Sequence, residues 1–198
     1  MFTNYFAYPY ESAKHFRPFE TQFDFNKRRA LTLNGGYDDR ITLTTVQDLA
    51  NVVALAVEYE GEWPVVGGVK GTELSIGQLI ALGEKVRGTF PCAILFLSTT
   101  AIGRRLTFDQ PGKSFHVEKL QADDLKAGVA KCSWLPTVDH PAIPREQAEA
   151  LAPQLVASML LSISTGALRV TDEWNRLLPD YQFTQAAEFL AEAWRDKP

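Results

Sequence analysis

The chain has 198 residues, 45% of them hydrophobic, and a formal charge of −4, enough for one packed domain with room for a lobe. The acidic balance, a pI near 5.4 and the lack of any Lys/Arg cluster exclude a nucleic-acid surface. Cys92 and Cys132 are the two cysteines; too far apart for a disulfide framework or a zinc pattern, they read as idle thiols of a reducing, cytoplasmic compartment.

Met1–Tyr10 opens on aromatics, with no basic region and no cleavage site of a secretory signal. It reads as an internal stretch of a longer ancestor. Phe16, Phe19, Phe23 and Phe25 follow among charges and predict an irregular segment packing rings on a core. Asn34-Gly35-Gly36 is a turn signal. Arg40–Gly71 then reads strand, helix, strand. Ile41–Thr45 is β-branched. Thr45 caps a helix, with Asp48 in capping-box position. Val46, Leu49, Ala50, Val53 and Val57 predict its buried face, and Val52, Leu55 and Ala56 widen it. Gly61 ends the helix, and Trp63–Val66 predicts the second strand. A second helix starts at Ser75 with Gln78 completing a capping box; Ile76, Leu79, Ile80 and Val86 hold its face up to Gly88.

Thr89–Gly112 interrupts this rhythm. Its longest apolar run, Cys92–Leu97, is too short to cross a bilayer, so no membrane partner is expected. Ser114–Glu118 alternates as a strand with Phe115 and Val117 on one face. Gln121–Val129 predicts a short helix ending at Gly128, and Trp134–Pro144 a proline-rich loop. Arg145–Ser164 is helical in pattern, with Leu151, Leu155, Met159 and Ile163 four apart, and Pro153 is expected to break or kink it. Gly166 ends it. A helix over Asp172–Leu178 stops at Pro179. Thr184 caps the last, which carries Phe189, Leu190 and Trp194.

On these residues the chain resembles the carboxy-terminal part of NmrA-like, isoflavone-reductase-like atypical short-chain dehydrogenases, in their fungal form. Phe2-Thr-Asn-Tyr-Phe6 resembles the family's aromatic segment, and Thr44-Thr-Val-Gln-Asp-Leu-Ala50 its T-x-x-D-[IVL]-A motif. Lys113-Ser-Phe-His-Val117 resembles its next strand, and Asp172–Asn175 with Phe189, Leu190 and Trp194 its tail. The resemblance implies an α/β, incomplete Rossmann-like (doubly wound) fold: carboxy-terminal strands plus a mostly helical substrate lobe. Residues 1–198 would be a single domain lacking the amino-terminal dinucleotide-binding half, with 89–112 an insertion. That insertion is of the kind a translated retained intron gives; the other reading is a surface hairpin.

The implied activity is hydride transfer between NADP(H) and a small organic substrate. That chemistry needs pyrophosphate held on a glycine-rich turn at a helix N-terminus, and the sequence holds no G-x-G-x-x-G. The family's catalytic lysine would precede Met1. The expectation is a truncated oxidoreductase, inactive alone. The alternatives are a non-enzymatic regulator that binds a protein partner, or a cofactor-free protein that binds a small ligand. Self-association through an exposed sheet edge is also expected.

Candidate chemistry is sparse. Tyr10 and Lys14 fit the Y-x-x-x-K spacing in which a lysine lowers a phenol pKa for proton donation; the plain alternative is a packed Tyr10 and a solvated Lys14. Phe2, Tyr5 and Phe6 are the substrate-pocket candidates, because aromatic walls suit a flat ligand, core packing being the competing reading. Gly67–Gly71 lacks Walker spacing and reads as a turn. His15, His116 and His140 are scattered without ligand spacing, so no metal is expected. His116 is expected to face solvent. No G-x-S-x-G supports a serine nucleophile.

Overall fold

The computed structural model describes residues 1–8, 19–88, 114–138 and 142–197. They form a mixed α/β fold with two small sheets and, among the described residues, six α-helices. Tyr10, Lys14, His15, His140, Cys92 and the 89–112 insertion lie outside the described residues.

The first sheet joins β1 (Phe23–Asp24), β2 (Arg29–Leu33) and β5 (His116–Leu120). β2 pairs antiparallel with β1 and parallel with β5, Leu31 opposite Glu118. Successive β2 side chains alternate in direction. Ala30 joins one core with Phe6, Phe25 and Leu79, whereas Leu31 joins another with Leu120, Leu125 and Val156. The sheet is thus packed on both faces. Its β5 margin carries His116, Glu118 and Lys119, charges that work against edge-to-edge pairing.

The second sheet pairs β3 (Arg40–Leu43) with β4 (Thr72–Ser75), antiparallel. Trp63–Val66, expected as the second strand, is instead an exposed loop. The chain needs Glu58–Gly71 to turn back, and Thr72–Ser75 supplies the pairing. Gly71 makes that return possible: a Cβ there would overlap the Leu43 carbonyl.

Between these strands runs α1 (Val46–Val57). Thr45 caps it as expected: the Asp48 N–H donates to Thr45 Oγ1 at 3.0 Å, and that hydroxyl donates to Asp48 Oδ2 at 2.8 Å. Its inward side is the predicted one only in part: of the predicted face, Val52 and Ala56 are inside. Asp48, Val52 and Ala56 are buried, while Val53 is 55% and Val57 75% exposed. The helix is apolar almost all round, so periodicity alone could not choose the side. The choice is made by Asp48, whose 3%-exposed carboxylate accepts bonds from the Tyr181 hydroxyl (2.8 Å), the Thr184 N–H (3.1 Å) and the Thr184 hydroxyl (3.2 Å). Thr184 is spent on that anchor, and α6 (Ala186–Ala193) starts from Gln185 rather than from Thr184.

The capping box of α2 (Ile76–Gly88) is present in full: the Ser75 N–H donates to Gln78 Oε1 at 2.8 Å and the Gln78 N–H to Ser75 Oγ at 3.1 Å. Its buried side is the expected Ile76, Leu79, Ile80 and Val86. After β5 come α3 (Ala122–Lys126) and α4 (Arg145–Ser164). Pro153 does not break α4. The helix loses only the bond to the exposed Glu149 carbonyl, and Ala152 and Val156 pack on either side. The buried side of α4 includes Ala148, Ala152, Val156, Leu160 and Ile163; of the four residues spaced four apart, Ile163 is buried, Met159 half-buried, and Leu151 and Leu155 exposed. Gly166 ends the helix with φ +76°. Its N–H donates to Ile163 and that of Ala167 to Ser162, the paired closure that a left-handed glycine allows. α5 (Glu173–Leu177) follows. Trp194 then ties the tail to the start, its indole N–H donating to the Phe6 carbonyl at 2.7 Å.

Candidate functional site

The side chains that slipped off the buried stripe of α4 face a cavity of about 400 Å³. Leu155, Val156 and Met159 form one wall, Pro136, Val138 and Ile143 a second, and Phe19–Gln22 the third. The lining is almost wholly apolar, as small-molecule sites are. A neighbouring cavity of about 410 Å³ shares Phe19, Glu20 and Thr21 and is bordered by Tyr5 and Tyr8.

The Phe19–Gln22 wall is held from both ends. The Gln22 carbonyl accepts the Leu31 N–H at 2.8 Å, fixing the segment to β2. Thr21 folds on itself, its hydroxyl donating to the Phe23 carbonyl at 3.1 Å and accepting the Phe23 N–H at 3.2 Å. Glu20 bridges to the opposite wall by accepting the Thr137 N–H at 2.8 Å, and it also accepts from Lys27 Nζ at 2.8 Å. Burial pushes the Glu20 carboxyl up, but the Lys27 and Thr137 bonds outweigh it and hold the group below the usual carboxylate range. Gln22 is 2% exposed and lines the cavity, and its Nε2 has no hydrogen-bond partner. An unpaired buried amide is costly.

The sequence-predicted pocket residues divide. Tyr5 borders the second cavity and packs on Phe19 at 4.4 Å between ring centroids, and burial raises its phenol. Phe2 lies 6.0 Å from Tyr5 but lines neither cavity. Phe6 is 1% exposed and stacks on Phe25 at 5.2 Å, inside the core. Gln22, Leu155, Met159 and the Pro136–Val138 loop were not singled out from the sequence. The available signal was the doubled apolar stripe of α4 beside a proline-rich loop, since a helix needs only one such stripe to pack.

Hydrolytic or metal chemistry finds no support nearby. Among the described residues no three His, Cys, Asp or Glu side chains converge as metal ligands. His116 faces solvent as expected, 3.4 Å from Glu118. Burial and the Glu118 charge push the Cys132 thiol up, which leaves it a poor nucleophile. No described helix is long and apolar enough to cross a membrane.

For NADP(H), which the resemblance implies, the starts of three described helices are unsuitable. A pyrophosphate needs bare N–H groups at a helix N-terminus. The start of α1 is closed by Thr45 and the Asp48 carboxylate, that of α2 by Ser75 and Gln78, and α3 begins with Asp123 and Asp124 in its first turn. The Gly67–Gly71 loop is also engaged. The Gly68 N–H donates to Glu173, that of Lys70 to Asn175 and that of Gly71 to Thr44.

The chain matches no protein-family model, no curated protein and no solved structure. What fold and site define together is a mixed α/β protein with a mostly apolar cavity between α4, the Pro136–Val138 loop and the Phe19–Gln22 segment.

Proposed function

We propose that this chain is the strand-and-lobe part of an NmrA-like, isoflavone-reductase-like fold, an incomplete Rossmann-like unit, and that it binds a small, flat, largely apolar organic molecule in the cavity beside Phe19. The cavity is the observation that carries this reading: about 400 Å³, lined mostly by apolar side chains, with Glu20, Thr21 and Gln22 the polar residues in its wall. The parallel pairing of β2 with β5 and the Thr44–Ala50 run, whose Asp48 anchors the Tyr181–Thr184 segment to α1, support the family part of the reading. In the family resembled, such a molecule is the substrate of an NADP(H)-dependent reductase. Here binding proceeds without the cofactor: the starts of α1 and α2 are closed by their own caps, and the sequence holds no G-x-G-x-x-G.

The test is equilibrium binding of 2-acetylnaphthalene, a flat aromatic ketone, followed by tryptophan quenching, with 2-ethylnaphthalene as the carbonyl-free comparison. Both are expected to bind. Leu155→Trp, which fills the cavity from its half-exposed rim, is expected to weaken both by at least about tenfold with unchanged circular dichroism. Equal affinity in Leu155→Trp overturns the site. Saturable micromolar binding of NADPH to the same chain overturns the cofactor-free part.

A further inference from the structure

A soluble helix with one packed side normally turns charges outward. α1 does not. Its outer side presents Ala50, Val53 and Val57, flanked by the half-buried Val46 and Leu49, and its only charged residue, Asp48, points inward. These positions fall on one stripe by helical spacing. From Val46 to Val57 the stripe runs roughly 16 Å, three turns at about 1.5 Å per residue. An exposed apolar surface of this kind marks a docking face.

The charges at one end of the stripe say what docks. Glu58, Glu60 and Glu62 follow the helix directly and are exposed. From Ile41 to Val69 the sequence contains no Lys, Arg or His, and no ion pair reaches these three carboxylates among the described residues. They crowd the negative end of the α1 dipole, with no basic residue in the last turn to offset it. Two copies of this chain meeting there would bring like charges together if their helices ran parallel and, if antiparallel, would set the carboxylates beside a stretch that holds no Lys, Arg or His. A cationic segment is favoured by both the dipole and the carboxylates.

We propose that the outer face of α1 docks a three-turn amphipathic helix of another protein, its apolar side on Ala50, Val53 and Val57 and its basic end over Glu58–Glu62. The interaction is a helix laid along a helix, apolar contact giving affinity and the acidic end giving direction. It is independent of the cavity, which lies between α4 and the Phe19–Gln22 wall, so either can fail alone.

The probe is a synthetic peptide of two heptads of Leu and Lys with an amphipathic helical pattern, titrated against the whole chain by fluorescence anisotropy. The expected result is saturable binding that weakens with salt and is absent for the same peptide with Glu in place of Lys. The double substitution Val53→Ser and Val57→Ser, at exposed positions that leave the core intact, is expected to weaken binding at least about tenfold. Glu58→Gln, Glu60→Gln and Glu62→Gln together are expected to flatten the salt dependence and cost about three- to tenfold at low salt. Failure of the Lys peptide to bind, equal binding of the Glu peptide, or equal binding by the Ser variant each overturns the proposal. A wild-type dimer that the Ser variant abolishes overturns it in favour of a second copy. Val53 and Val57 methyls already shielded from a soluble paramagnetic probe in the free chain overturn it in favour of a segment of this same chain.

Discussion

Removing the Asp48 carboxylate tests what holds the Tyr181–Thr184 segment to α1. Four hydrogen bonds converge on it, from Thr45, Tyr181 and both the N–H and the hydroxyl of Thr184. A bond to a charged acceptor contributes about 1.5–3 kcal/mol. Simple addition overstates the loss, because Tyr181 and Thr184 are half-buried and water can reach them once the carboxylate is gone. The buried Thr45 hydroxyl has no such recourse. Its cap on the Asp48 N–H survives any side-chain change, so α1 itself persists. Asp48→Ala is therefore expected to cost about 3–5 kcal/mol, in the range for breaking a buried charged network.

Asp48→Asn separates charge from shape. With its amide nitrogen turned toward the Tyr181 and Thr184 hydroxyls, which can accept, and its oxygen toward the Thr184 N–H, every group keeps a partner. Only the charge is lost, for about 1–2 kcal/mol. Urea unfolding followed by tryptophan fluorescence measures both, and an unchanged m-value certifies that stability alone has moved. An Asp48→Ala loss below about 1 kcal/mol, or an Asn variant as damaged as the Ala one, refutes the view of Asp48 as that segment's anchor.

Pro153→Ala is expected to stabilise the chain by about 1–3 kcal/mol, restoring the N–H that bonds the Glu149 carbonyl and relieving the ring's clash with the preceding turn; a lower urea midpoint would contradict this. Gly71→Ala is expected to destabilise by about 1–3 kcal/mol, because the new Cβ meets the Leu43 carbonyl and lies 3.1 Å from Thr44 Cα in the return to β4. Acid should loosen the structure in a defined direction. Glu20, Glu73 and Glu118 are all held below the ordinary glutamate value of 4.5. In Glu20 the Lys27 and Thr137 bonds outweigh desolvation; in Glu73 the Lys70 and Arg40 bonds lead, and in Glu118 the Ser133 bonds. A depressed carboxylate contributes stability that is complete above its unfolded value and lost as pH falls through the folded one. Thermal midpoints should therefore be flat for these groups above about pH 5 and fall below it. Glu20→Ala, which removes the acceptor of the Thr137 N–H, should weaken 2-acetylnaphthalene binding in the same tryptophan-quenching assay.

What the sequence revealed and what it hid divide along a physical line. Signals carried by neighbouring residues were legible. Ser75 and Gln78 announced a capping box and made one; Gly166 announced a helix end and took a positive φ; Ile76, Leu79, Ile80 and Val86 announced a buried face and formed it. In α2 one side is apolar and the other polar, so period and packing agree. Signals that depend on which distant segment arrives were not legible. The β4 strand is Thr72–Ser75 rather than the more apolar Trp63–Val66, because the antiparallel register with β3 needs the longer return and Trp63 packs instead on Trp174.

The two helices whose faces were misjudged in part share one cause, and it bears on function. α1 and α4 each carry two apolar stripes, and periodicity sees only their sum. On α4 the second stripe, Leu155 and Met159, lines the cavity; on α1 the second stripe, Ala50, Val53 and Val57, looks outward. In each case the packed stripe is set by a partner distant in sequence: Asp48 drawn to Tyr181 and Thr184 in α1, Val156 and Leu160 drawn to Leu31 in α4. Apolar residues left over after packing expose hydrophobic surface, which folding alone disfavours. Their presence on the cavity wall and on the outer face of α1 is why a ligand is assigned to the first and a partner helix to the second. It also means that polar replacement of these residues should leave stability nearly untouched and remove binding. Replacement of Val52, one helical step from Val53 and buried, should do the reverse.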